Sequence, residues 1–196
     1  MRLLAAALGV LLVSPMSGSD LERALALSRS RDAERQQFHR RYITELSDPV
    51  VTQVEIVTDF RRVVMIAEEH VLHGDWMFTR GVRAAEEAIK PTRGTVTIRA
   101  QVRFNPLNTF IEAPPYKLAM GRPGAPEPPQ GLVTDLIPKF SVPFKTKDRR
   151  TLSSLIGCSL ESTLDSARIG QMPRVIAVTL DGKEAARTTV DFGGLE

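Results

Sequence analysis

Only one cysteine, Cys158, occurs in this chain, so no disulfide can form within it. The usual device of small secreted domains, covalent stapling, is excluded, and about 175 residues after any leader must bury enough apolar surface instead. Histidine is equally scarce, at His39, His70 and His73, whereas a metal site needs three or four convergent ligands. No G-x-S-x-G nucleophile turn is present, and Gly121, Gly124 and Gly131 stand too far apart, among too many prolines, to cradle a phosphate. Beyond the first twenty residues no run is apolar enough to span a bilayer.

Charge of one sign is also lacking. Twenty-six basic residues face 23 acidic ones for a net +3, without the clustering or fold signature of a nucleic-acid surface. Only six of the basic residues are lysine, and the Arg, Ala and Val richness is that of a GC-rich bacterial genome.

What is present begins with Arg2, an apolar run from Leu3 to Val13, and small and turn-forming residues from Ser14 to Ser19. This is the order of a secretory signal, and the run is too short for a stable membrane anchor. Residues 1–19 are expected to be a signal peptide, with Ser17 and Ser19 as the small residues before the cut and Asp20 as first mature residue, a cut a few positions earlier being the alternative. No cysteine stands there to carry a lipid, so the mature protein is expected to be soluble and periplasmic or extracellular.

Residues 20–91 predict a helical segment of about three helices. Asp20 to Arg41 favours helix, with Leu21, Ala24, Leu25 and Ser28 on one stripe and a solvated, charged second half. Asp48 and Pro49 suit a helix start, and Val50, Val54, Val57, Phe60, Val64, Ala67 and Val71 recur every three or four residues, which predicts a second helix to about His73, stopped by Gly74. The β-branched run from Val50 to Val57 makes a strand the competing reading there. A third helix is expected from Met77 to Ile89, burying Phe78, Val82, Ala85 and Ile89, with Pro91 ending it.

Residues 92–196 predict an antiparallel β domain, packed with the helices as one globular unit. Thr95 to Phe104 alternates cleanly, with Val96, Ile98, Ala100, Val102 and Phe104 inward. Thr109 to Ala113 resumes an extended stretch, Tyr116 to Met120 forms a short strand, and residues 121–130 form a proline-bearing exposed loop. Leu132 to Phe144 reads as an edge strand or coil, Lys145 to Arg150 as a charged turn, and Ser154 to Thr163 as a strand with Ile156, Cys158 and Leu160 on one face. Asp181 and Gly182 mark a hairpin. A three-residue loop of Leu180, Asp181 and Gly182 is preferred, setting Ile176 opposite Ala186 and aligning Ile176 and Val178 with Ala186, Thr188 and Val190. The resulting fold class is α+β, a helical segment followed by an antiparallel β-sandwich or curved sheet.

Chemistry-bearing residues concentrate at Glu68, Glu69, His70 and His73, with Asp75 close by. Glu69 to His73 has the i, i+4 spacing that places two ligands on one helix face, making Glu69, His70 and His73 the metal candidates. Their bland reading is a helix end, where partial positive charge is favourable and the last carbonyls need donors. Trp76, Met77 and Phe78 follow a bend and cannot all face one core, so Trp76 and Phe78 are partner-contact candidates, as is Tyr116 beside Pro114 and Pro115; interior packing is the competing role. Cys158 is expected to be an inert core thiol.

With no assembled catalytic set, the sequence points to a non-enzymatic interaction or structural module of the cell envelope, needing no cofactor and pairing with another envelope protein. A periplasmic hydrolase or metal-dependent enzyme built on Glu68, Glu69, His70 and His73 is the alternative. Carriage of a small apolar ligand between helices and sheet is a third.

Overall fold

The computed structural model describes residues 16–145 and 151–195. Most of the expected signal segment and of the charged turn at 146–150 lie outside the described residues.

Helices α1 (Gly18–Ser28) and α2 (Asp32–Arg40) replace the single helix expected over 20–41. The first buries the forecast stripe of Leu21, Ala24, Leu25 and Ser28. It ends because its last carbonyls find side chains: Ser28 Oγ and Arg29 Nε donate to the Leu25 carbonyl, and Arg35 Nη1 donates to the carbonyls of Ser28 and Ser30. The charged half therefore folds back as a separate helix.

Strands β1 (Ile43–Glu45) and β2 (Val51–Val57) follow, then α3 (Asp59–Leu72) and α4 (Val82–Ile89). The helix expected from Asp48 to His73 is thus corrected at its first half. Asp48 does cap the amides of Val50 and Val51, but at a turn entering a strand. The β-branched run pairs with β3 (Thr95–Arg103), and the helix starts at Thr58, whose hydroxyl accepts from the Arg61 amide. The apparent stripe of seven residues served two purposes: Val54 faces a core between sheets, while Phe60, Val64 and Ala67 face a core between helices. Before α4, residues Phe78–Arg80 form a separate 3-10 turn, so the third helix begins five residues later than expected.

Strands β4 (Tyr116–Gly121), β5 (Gln130–Gly131), β6 (Asp135–Phe140), β7 (Phe144–Lys145), β8 (Thr151–Leu152) and β9 (Leu155–Asp165) precede a short α5 (Ser166–Ile169) and the hairpin of β10 (Arg174–Leu180) and β11 (Lys183–Val190). One antiparallel sheet has the order β1-β2-β3-β9-β6 and the other β11-β10-β4-β5, with β7 and β8 a separate pair. Ile98, Leu160, Leu118, Ile176 and Val178 are among the fully buried residues between the two sheets, confirming an α+β class with antiparallel sheets. No strand forms at 109–113: the Asn108 side chain donates to the carbonyls of Asn105 and Leu155 and accepts from the Phe110 amide, holding that segment as a loop.

Two registers differ from expectation. The turn is a two-residue loop, Leu180 pairing Lys183, with Asp181 and Gly182 at φ 51° and 76°; a bulge at Ala185 then sets Val178 opposite Ala186 and Ile176 opposite Thr188. The forecast face survives because a bulge shifts parity as a third loop residue would have done. In β9 a register shift against β6 buries Leu155 and turns Ile156 outward, so Ile156 does not share the face of Cys158 and Leu160.

The second core joins α1, α3 and α4, with Phe38 of α2 and Tyr42. Leu195 packs against both cores, marking the seam between helices and sandwich.

Candidate functional site

The acidic and histidine residues near the end of α3 turn to separate partners. Glu68 faces α2, where its Oε2 lies 3.0 Å from His39 Nε2 and its Oε1 lies 3.3 Å from Arg35 Nε. His70 stacks flat on Phe78, with ring centroids 3.9 Å apart, and its Nδ1 meets Asp75 Oδ2 at 2.9 Å. That contact holds the Asp75 carboxyl below its ordinary range. His73 Nδ1 contacts the Glu69 carbonyl at 2.8 Å, as a helix-end side chain does. Among the described residues no group of three or more His, Cys, Asp or Glu side chains is placed to hold a metal ion. The cluster that would carry a metal-dependent or hydrolytic reading is therefore dispersed over three local contacts.

His39 instead belongs to a network that its sequence position does not announce. Arg61 Nε donates to His39 Nδ1 across 3.4 Å, its Nη1 donates to the Ile56 carbonyl at 2.6 Å, and its Nη2 pairs with Glu55. The guanidinium also lies over the Tyr42 ring, 5.1 Å from its centroid. Arg61 is almost wholly buried, and burial lowers its pKa against the opposing pull of Glu55. The chain Glu55, Arg61, His39, Glu68, Arg35 thus ties β2, α2 and α3 together, and with both ends occupied its chemistry is structural. An Arg at the third position of α3 was visible in sequence; its partner 22 residues earlier was not.

The three partner-contact candidates separate in the same way. Tyr116 is buried in the sandwich beside Phe104, and Phe78 is half-buried against the helical core. Trp76 is 58 % exposed, and its neighbours Leu72 and Met77 are exposed by 85 % and 72 %. The end of α3 and the bend beyond it therefore present three large apolar side chains to solvent. Cys158 lies wholly inside the sandwich, where desolvation pushes its thiol up to about 11, far from a thiolate nucleophile at neutral pH.

At the seam between helices and sandwich the chain also encloses an open-mouthed cavity of about 500 Å³, between the starts of α1 and α3, the start of β3, α5 and the last residues. Asp59, the first residue of α3, stands on its wall and accepts from the Gly94 amide at 2.6 Å and from Arg62 Nη1 at 2.7 Å. Burial nevertheless raises its pKa. Asp165 caps α5 by accepting from the Ala167 amide at 2.8 Å. Residues 59 and 165 reach one cavity because Asp59 holds the Gly94 amide at the start of β3 and β3 pairs with β9 so that Thr95 faces Asp165; nothing in their local sequence linked them.

No helix among the described residues is long and apolar enough to cross a membrane. Comparison with known proteins yields no match to any family model, to any curated protein or to any solved structure.

Proposed function

We propose that this protein is a non-enzymatic interaction module of the bacterial cell envelope, exported by its N-terminal signal and docking to another envelope protein through the end of α3. The observation that carries this reading is the exposure of Trp76 with Leu72 and Met77 on a helical layer that already has its own core. Trp is the side chain most enriched where binding energy concentrates, and a helix end fits a partner's groove without remodelling the fold.

The sheet edges argue against strand addition. Edge strand β6 carries Pro138 and Lys139, edge strand β11 carries Lys183, Glu184, Arg187 and a bulge, and β1 and β5 are two or three residues long. These are the features by which sheets discourage edge pairing.

The test is a photo-crosslinker placed at Met77 in the tagged protein, expressed in its own cells, beside the same protein carrying Trp76→Ala. A single crosslinked envelope protein, lost in the variant, supports the reading. Equal recovery in the variant, or no crosslinked species, sinks it.

A further inference from the structure

The cavity at the seam has a size typical of small-molecule sites and a divided lining. Its floor is apolar: Phe60 and Leu195 from the helical side meet Val96, Ile169 and Phe192 from the sandwich. Its polar side is dominated by the carboxylates of Asp20, Asp59 and Asp165, against one lining guanidinium, Arg23. Asp59 is matched by Arg62, and Asp20 lies 3.3 Å from Arg23, which leaves Asp165, with one oxygen committed to α5, as the carboxylate without an ion-pair partner among the described residues. The floor also shows what its aromatic face accepts, because the Arg23 guanidinium lies over the Phe60 ring, 4.9 Å from the centroid.

We propose that this cavity binds an amphipathic monocation, an aliphatic amine whose chain lies on Val96, Ile169 and Phe192 and whose ammonium head meets Asp165. A buried aliphatic chain gains transfer free energy on such a floor, and the head selects by charge. An anionic head at the same place meets the unmatched Asp165 carboxylate and is disfavoured; a neutral head gains the floor alone.

Titration calorimetry on the full chain, with dodecylamine, dodecanoate and a neutral dodecyl glyceride each below its micelle concentration, tests this. Circular dichroism checks that the protein stays folded. Dodecylamine is expected to fill one saturable site about tenfold more tightly than either other head. Asp165→Asn keeps the helix cap and is expected to reduce that preference about threefold. Ala167→Trp, at an exposed lining position, is expected to fill the cavity and remove binding. Equal affinities, a preference for dodecanoate, binding unaffected by Ala167→Trp, or no saturable site in the folded protein would each overturn the proposal.

Discussion

His39 and Glu68, 29 residues apart, meet at 3.0 Å, and Arg61 approaches the other ring nitrogen of the same histidine. Because Arg61 can only donate, Nδ1 must accept, which places the ring proton on Nε2, facing Glu68. One imidazole thereby joins α2 to both Arg61 and Glu68 of α3. Arg61→Met is expected to cost about 3 kcal/mol or more, since it leaves Glu55 half-buried without its partner. Glu68→Gln, which keeps an acceptor toward His39, is expected to cost on the order of 1 kcal/mol. Guanidinium unfolding of the two variants checks the order; comparable losses would show that the Arg61 chain carries no special weight.

Cys158 supplies a pH dependence. Its folded thiol is raised from 9.0 to about 11, so the folded state holds the proton more tightly than the unfolded chain. The contribution is fully present below pH 9 and is lost as pH rises through 11. Wild type is therefore expected to lose stability relative to Cys158→Ala between pH 9 and 11, and a thiol reagent at pH 8 is expected to label only as fast as the protein opens. Rapid labelling of the folded protein would contradict this.

At the hairpin, Gly182 has φ 76° and nothing near its Cα to clash with a side chain, so Gly182→Ala measures backbone strain alone. A loss of about 1 kcal/mol is expected. Asp181, at φ 51°, should tolerate Asn and resist Val, because only short polar side chains adopt that region at low cost. Thermal melts of the three variants decide it.

The expected signal cut after Ser19 falls inside the first turn of α1. Ser17 caps that helix, accepting from the Asp20 amide while Asp20 Oδ2 accepts from the Ser17 amide at 3.0 Å. A chain beginning at Asp20 loses both bonds and is expected to be about 1 kcal/mol less stable than one beginning at Met16. N-terminal sequencing of the protein recovered after expression of the full chain, with chemical denaturation of both chains, tests the cut and its cost separately. Equal stabilities would mean that the cap contributes nothing.

Period and turn chemistry made several elements legible. The alternation of Val96, Ile98, Ala100 and Val102, the α1 stripe and the place of the hairpin at Asp181 and Gly182 appear where expected, though the loop has two residues and not the three preferred, because each depends on a local repeat or a backbone conformation that few residues allow. Hydrophobic periodicity failed between Val50 and Val57, where helical spacing and β-branching conflicted and pairing with β3 settled the matter. The same limit applies to chemistry. Glu68, Glu69, His70 and His73 lie close in sequence, yet a helix fans successive side chains around its axis, and Glu68, His70 and His73 meet three different partners.

The sequence by itself determined that most helix lies in the N-terminal half, an α+β class and the burial of its one cysteine, since composition and local period carry that information. Only the tertiary structure decided that His39 joins Glu68, that Trp76 stays in solvent while Tyr116 is buried, and that Asp20, Asp59 and Asp165 line one cavity. Those outcomes depend on contacts between residues tens of positions apart, whose register is fixed by sheet pairing and by the packing of two cores, and no local pattern encodes them.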